Sequence, residues 1–242
     1  LVLECTGKFT ARDDAMKHIT AGAKKVLISA PGKGEMKTVV YNVNDNILTS
    51  DDVIVSAASC TTNCLAPVLN IIHKNIGVKK GFMTTVHAYT NDQATLDIAH
   101  KKGMKSRRGR ACAQNIVPSS TGAAKAIGLV IPELLGKLDG NALRVPTADG
   151  SVVDLTLELS RNTSVEEINK LFMDNQNETI KFTIDPIVSS DCVGKKFGAI
   201  VDGLSTSIVE ADGSQLVKII AWYDNEYGYT AQMLRTAKKM FQ

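Results

Sequence analysis

The segment Ser59–Cys60–Thr61–Thr62–Asn63–Cys64 carries the residue types best suited to chemistry. The β-branched run Val53–Ile54–Val55 before it reads as a buried strand. After it, Leu65, Val68, Leu69, Ile72 and Ile76 recur at helical spacing until Gly77 closes the pattern. Cys60 therefore falls in the first turn of a helix, with Ser59 as its N-cap. Unpaired backbone N–H groups and the positive end of the helix dipole favour thiolate over thiol there. Such a nucleophile needs a base nearby and a carbonyl to attack. Placement alone leaves a plainer reading open, that of a small buried thiol.

His87, near the end of a strand over Gly81–Thr90, is the natural base, and it shares a strand face with Thr85 and Tyr89. A lone strand histidine is also a common core residue. Arg107, Arg108, Arg110 and Arg144 form either a solvated surface or a set of bidentate phosphate ligands. Thr121–Gly122, opening a helix over Ala123–Ile127, offers backbone N–H groups to an anion. Two separated arginine positions and several threonines suit a substrate carrying one phosphate and a reaction using a second. Cys64 lies one turn beyond Cys60 and reads as a core residue, since a bridge between them strains the helix. Cys5, Cys112 and Cys192 read as structural.

These residues are positioned by two kinds of element. Strands are expected at Val2–Cys5, Val26–Ser29, Val39–Val43 and Val53–Val55, with a helix from Asp13–Asp14 to Gly22 burying Ala15, Ile19 and Ala23. That alternation argues for a parallel α/β sheet, in which ligands sit beyond the carboxyl ends of strands. Thr6–Gly7, Ser29–Ala30 and Cys60 fall at three successive strand ends and point to one crevice. Further strands at Ala142–Val145, Val152–Leu159, Ile180–Ile184, Phe197–Val201 and Leu216–Trp222 suggest a second, α+β domain with a mainly antiparallel sheet. Its helix is Val165–Met173, capped by Ser164 or Thr163. A closing helix over Asn225–Phe241 turns Met233, Leu234, Met240 and Phe241 inward.

The bulk numbers exclude several classes. With 28 basic and 25 acidic residues the net charge is +3, which gives no mandate for nucleic acid as primary partner. No apolar run has membrane-spanning length, so no membrane partner is expected. Five cysteines without a CxxC pair indicate neither a disulfide framework nor a metal site, and point to a reducing, cytoplasmic setting. The sequence opens without Met on the strand-like Leu1–Val2–Leu3–Glu4, so it is expected to be the later part of a longer chain.

Nine strings, in order, span essentially the whole sequence: ECTGKF, ISAPGKG, YNVN, SAASCTTNCLAP, TTVHAYTNDQ, SRRGRA, VPSSTGAAKAIG, LRVPTADGSVVDLT and WYDNEYGY. Together they resemble the phosphorylating glyceraldehyde-3-phosphate dehydrogenases. The resemblance implies a partial Rossmann-type parallel sheet joined to a catalytic domain, with residues 1–59 as the later portion of an NAD-binding domain. It implies a catalytic domain over 60–224, and a helix over 225–242 packing back on the NAD-binding domain. It implies Cys60 as acylated nucleophile and His87 as base. Ser59, Thr61, Arg108, Thr121 and Gly122 would line phosphate positions, and Thr90 with Arg144 would hold the phosphate of the substrate. Asn225, with Tyr229 beside it, would meet the nicotinamide carboxamide, and Thr6, Gly7, Ser29 and Ala30 would line the cofactor crevice. Cofactor, substrates and assembly would be NAD, glyceraldehyde 3-phosphate with inorganic phosphate, and a homotetramer.

The sequence departs from that pattern in one respect. A dinucleotide fold opens with a G-x-G-x-x-G turn and an acidic ribose ligand, and neither Lys8 nor Gly32–Lys33–Gly34 supplies one. On its own the chain is expected to expose a sheet edge, to bind NAD poorly and to aggregate. Three other readings stand beside the first: an erythrose-4-phosphate dehydrogenase, a catalytically silent fragment, and a polyanion-binding role for the basic loop Lys101–Arg110. That loop lacks aromatic residues for base stacking.

Overall fold

A computed structural model describes residues 1–242. The first sheet is parallel and four-stranded, built from β1 (Val2–Glu4), β2 (Val26–Ile28), β3 (Lys37–Thr38) and β4 (Ile54–Ser56) in the order β1-β2-β4-β3. Val26, Leu27 and Ile28 are buried on both faces, as strands enclosed in a parallel sheet require. Helix α1 (Arg12–Thr20) covers one face, where Ala15 meets Val26, Ile28 and Ile54. Residues 39–43, expected as a strand, mostly form a turn, and β3 lies just before them. Asn44 is the reason. Its side chain accepts the Val40 N–H (2.8 Å) and donates to the Thr38 carbonyl (2.9 Å), taking over partners that a strand would need. Asn42 completes the turn at φ 60°.

Helix α2 (Cys60–Asn75) begins where its cap chemistry dictates: Ser59 is extended and its hydroxyl accepts the Thr62 N–H at 3.2 Å. The second sheet is mixed and mostly antiparallel. Its strands are β5 (Val78–Ala88), β6 (Val117–Ser120), β7 (Leu138–Val145), β8 (Ser151–Leu159), β9 (Ile180–Thr183), β10 (Ala199–Asp202), β11 (Ser207–Ala211) and β12 (Ser214–Tyr223). They run in the order β6-β7-β5-β8-β12-β10-β9, with β11 paired to β12. The pairs β5–β7 and β9–β10 are parallel, the rest antiparallel. Strands β6 and β11 were not expected. The first carries Pro118, tolerated because β6 is an edge, and the second is largely exposed.

The main core lies between α2 and this sheet. Leu65, Val68, Leu69 and Ile72 share one buried cluster with Met83, Leu155, Leu157, Val217 and Ile219. Burial of each such side chain contributes about 1.5–3 kcal/mol, so α2 is held as rigidly as any element of the molecule. Helices α3 (Ala123–Val130) and α4 (Val165–Asp174) extend the cluster through Ile127, Ile168 and Phe172.

Helix α5 (Tyr227–Lys239) returns to the first sheet, where Met233, Ala237 and Met240 pack with Leu27, Val39, Val55 and Ala57. It starts two residues later than expected, because Asp224 Oδ1 accepts the N–H groups of Glu226 (2.9 Å) and Tyr227 (2.7 Å). Leu234 and Phe241, expected inward, are 45% and 57% exposed; the inward stripe is instead Met233, Thr236, Ala237 and Met240. No helix is long and apolar enough to cross a membrane.

Candidate active site

Four devices hold Cys60 at the head of α2. Ala58 adopts φ +59°, a conformation costly for a residue with a Cβ, and it turns the chain sharply from β4 towards the helix. Ser56 accepts the Ala58 N–H (3.1 Å) and the Gly32 N–H (3.1 Å) on its hydroxyl, and donates to the Ala30 carbonyl (2.7 Å). Tyr229 donates its hydroxyl to the Ala58 carbonyl at 3.2 Å. Asn63 donates to the carbonyls of Ala57 (2.8 Å) and Ser59 (3.0 Å). The strained turn is thus fixed by partners on both sides.

The Cys60 Sγ lies 3.4 Å from His87 Nε2. His87 Nδ1 is 2.7 Å from the Ala88 carbonyl, which can only accept, so Nδ1 carries the proton and the neutral ring presents its Nε2 lone pair to the thiol. Burial, aided by the Arg144 cation, lowers the His87 pKa to about 4. Burial pushes the Cys60 thiol above its ordinary value, and the Glu226 carboxylate adds to this. The Thr61 hydroxyl and backbone N–H and the Arg144 guanidinium pull the other way. Local placement at a helix start favours thiolate, but desolvation outweighs it. What remains is a hydrogen-bonded pair that can pass one proton between sulfur and nitrogen.

Tyr223 underlies this pair. It is 1% exposed, its hydroxyl bonds Thr61 Oγ1 (2.9 Å) and Thr85 Oγ1 (2.8 Å), and its ring stands edge-on to His87 at 5.9 Å. The residue after the cysteine and the residue two before the histidine are therefore tied to one oxygen. Thr61, expected among phosphate ligands, turns its side chain to Tyr223 and can offer an anion only its backbone N–H in the first helical turn. Ser59 likewise spends its hydroxyl on the cap and on Thr62 Oγ1 (2.8 Å).

Arg144 reaches the site through strand register: β7 runs parallel to β5 with Arg144 opposite His87. Its Nη1 donates to the Ala88 carbonyl (2.9 Å) and to Thr90 Oγ1 (2.9 Å), while its Nε is buried without a protein partner. Thr90 donates to Asp92 Oδ1 (2.6 Å), Arg108 pairs with the other Asp92 oxygen, and Arg108 Nη2 lies 3.4 Å from the Ser120 carbonyl. Burial raises the Asp92 pKa, yet the Thr90 hydroxyl and the two arginines outweigh it and hold the carboxyl below its ordinary range. Thr121 follows Ser120 and accepts the Ala123 N–H at 3.2 Å, and Gly122 leaves the start of α3 open. Arg107 and Arg110 make no ion pair in this network.

The crevice side is built on the first sheet. Thr6 caps the end of β1 by donating its N–H (2.8 Å) and hydroxyl to buried Glu4, whose other oxygen is 2.8 Å from His18 Nε2. Gly7 follows at φ +70° with open space about it. Ser29 and Ala30 end β2 beside it, and the Tyr229 hydroxyl lies against Ser29. Asn225 is 5% exposed; its Oδ1 accepts from Ser151 at 2.7 Å and its Nδ2 is buried without a protein partner. Cys64 is fully buried, with its thiol directed at the Ala221 carbonyl, and Cys112 and Cys192 are buried too. Cys5 is exposed, contrary to the structural role expected of it. All five cysteines are free.

Tyr223, Asp92 and Ser151 fall within the quoted strings, but their residue types and spacing assign them no role. The pairing of β8 with β12 shows the places of Ser151 and Tyr223, and the contacts with Thr90 and Arg108 that of Asp92.

A cysteine and a histidine within hydrogen-bond reach thus stand at the carboxyl end of a parallel sheet, next to two arginines, and comparison with known proteins defines the class as an oxidoreductase. Residues 59–225 match the family described as the glyceraldehyde 3-phosphate dehydrogenase C-terminal domain. Among curated proteins, the glyceraldehyde-3-phosphate dehydrogenase of Clostridium pasteurianum is 56% identical over 236 residues, covering 98% of this chain and 70% of the relative. That of Streptococcus pyogenes is 56% identical over 237 residues, with the same coverage. The Clostridium acetobutylicum protein of the same name is 54% identical over 236 residues, again 98% of this chain and 70% of the relative. The chain belongs to the glyceraldehyde-3-phosphate dehydrogenase family, and its role is that of a glycolytic oxidoreductase.

Proposed function

We propose that the protein oxidises D-glyceraldehyde 3-phosphate to 1,3-bisphosphoglycerate with NAD and inorganic phosphate, through acylation of Cys60. One observation carries the reading: the 3.4 Å contact between Cys60 Sγ and the unprotonated Nε2 of His87. As sulfur adds to the aldehyde carbon, its proton passes to Nε2 and on to the new alkoxide, giving a hemithioacetal. His87 then takes the hydroxyl proton while the carbon loses a hydride, and a thioester remains on Cys60. The nicotinamide cofactor, when bound, supplies the hydride acceptor. A phosphate oxygen attacks the thioester carbonyl, the C–S bond breaks, and the sulfur recovers its proton from His87. The Cys60 backbone N–H, free in the first helical turn, and the imidazolium stabilise the oxyanion.

Arg144 and Thr90 hold the substrate phosphate, and the unpartnered Arg144 Nε supports this. Arg108, Thr121, Gly122, Ser59 and the Thr61 backbone line the position of the attacking phosphate. The cofactor fits the chain at its nicotinamide end. The unpartnered Nδ2 of Asn225 is a donor for the carboxamide oxygen, and Thr6, Gly7, Ser29, Ala30 and Tyr229 line the adjoining strand ends. Residues 1–59 serve the cofactor, residues 60–224 the chemistry, and the last helix packs against the cofactor sheet. The protein works in the cytoplasm as a homotetramer, a reading supported by exposed Leu96, Ile98, Met104 and Ile116 along the loop between β5 and β6.

The test is NADH formation from glyceraldehyde 3-phosphate and from erythrose 4-phosphate, each with and without phosphate. Turnover of the triose that requires phosphate is the expected result. Faster, phosphate-independent turnover of the tetrose would overturn it in favour of erythrose-4-phosphate oxidation, and no turnover of either would leave the reading without support.

A further inference from the structure

We propose that Ser151 is a positioning residue that decides which end of the Asn225 amide faces the cofactor crevice; the inference rests on the reading of Asn225 as the carboxamide ligand. Ser151 opens β8, is 1% exposed, and pairs across the sheet with Tyr223, two residues before Asn225. Its hydroxyl meets two groups. The Ala88 N–H approaches at 3.1 Å and can only donate, so it takes a lone pair of Ser151 Oγ. The hydroxyl hydrogen is then directed to Asn225 at 2.7 Å, and the atom that receives it must be an acceptor. Oδ1 is therefore held against Ser151, and Nδ2 is left at the opposite end, buried, with the Glu226 carboxylate the one group that approaches it.

An amide turned the other way would place two donors, the Ala88 N–H and Nδ2, on Ser151 and would leave the hydroxyl hydrogen without its acceptor. It would also present Oδ1 to the carbonyl oxygen of a carboxamide, acceptor to acceptor. The same Ala88 accepts from His87 Nδ1 (2.7 Å) and Arg144 Nη1 (2.9 Å) on its carbonyl, so the segment that donates to Ser151 is itself rigid. The asparagine is oriented by a fixed backbone donor through the Ser151 hydroxyl, and the Glu226 carboxylate on the amide's other side favours the same way round.

The experiment uses the full-length protein carrying Ser151→Ala, Ser151→Cys, Asn225→Ala or Ser151→Ala with Asn225→Ala. NAD dissociation constants are measured by calorimetry, beside KM for the aldehyde and the rate of Cys60 alkylation without cofactor. Ser151→Ala is expected to weaken NAD binding about tenfold, the factor carried by one lost neutral hydrogen bond. Aldehyde KM and cofactor-free alkylation stay within about twofold, an outcome that general loosening of the site would not give. Added to Asn225→Ala, it is expected to have no further effect. Should Ser151→Ala fold poorly, Ser151→Cys keeps the volume with a weak donor and reads the same quantity. Unchanged NAD binding in the serine variants, while Asn225→Ala weakens it, overturns the inference alone. Unchanged binding in Asn225→Ala overturns the assignment of Asn225 and the inference with it.

Discussion

Replacing His87 by Asn tests the proposed pairing of base and nucleophile. The ring is 3% exposed, accepts the thiol proton on Nε2 and is locked by the Ala88 carbonyl on Nδ1. The shorter Asn side chain cannot span from that carbonyl to sulfur, so the proton of Cys60 has no acceptor inside the site. General-base assistance contributes about 10²- to 10⁴-fold, or about 3–5 kcal/mol of barrier, and the variant is expected to lose that much in kcat. Iodoacetamide labelling gives an independent readout, with peptide mapping to separate Cys60 from exposed Cys5. Burial holds the isolated Cys60 thiol above its ordinary pKa. In His87→Asn, labelling should therefore rise about tenfold per pH unit between about pH 7 and 9, where the thiolate fraction is small. In the native protein neutral His87 takes the proton as sulfur attacks the reagent, a route that does not follow the thiolate fraction, and the rise is shallower. The same pH slope in both proteins, or a loss of kcat below about fivefold, would refute the reasoning.

Tyr223→Phe keeps the ring beside His87 but removes the oxygen that joins Thr61 to Thr85; it is expected to cost about 1–3 kcal/mol in chemical denaturation and to reduce kcat about tenfold. Arg144→Lys loses the planar fork, so KM for the phosphorylated aldehyde should rise about 10- to 100-fold while turnover of unphosphorylated glyceraldehyde stays within about twofold. Glu4→Gln tests linkage. Burial raises the Glu4 pKa, but the Thr6 hydroxyl, His18 and the Thr6 N–H outweigh it and leave it below its ordinary 4.5. Its contribution is present above pH 4.5 and is lost as pH falls through the lower, folded-state pKa, so the native protein should have the higher Tm at pH 7 and the gap to the variant should narrow as pH falls below 4.5.

The start of α2 is legible because its determinants are neighbours in the chain: a cap at Ser59, a β-branched strand before it and Gly77, at φ +87°, after it. The parallel arrangement of β1, β2 and β4 follows from alternation for the same reason. The turn at 41–44 is not legible, since Val39, Val40 and Val43 give a strand-like pattern and only the Asn44 amide decides against it. The inner face of α5 misleads likewise: Leu234 and Met233 are adjacent and equally apolar, and the packing on Leu27 and Val55 selects Met233. His87 can be singled out by type, but its approach to Arg144 depends on β5–β7 register, which no local signal encodes. The ionisation of Cys60 shows the limit most clearly. The helix start is a local fact, while the burial that opposes it is set by the whole fold.

The return of α5 to the first sheet ties the crevice to the order in which the molecule folds. Tyr229 reaches the Ala58 carbonyl across 171 residues, and Tyr223 reaches Thr61 across 162. Closing loops of that length is slow, although the added entropy grows only with the logarithm of length. During synthesis, β4 and the Ala58 turn emerge long before the helix that pins them, so the turn must wait with only its local partners Ser56 and Asn63, and with Val55 and Ala57 uncovered. The geometry at the head of α2 therefore depends on contacts from residues far along the chain, and it is complete only when Tyr223 and Tyr229 have docked.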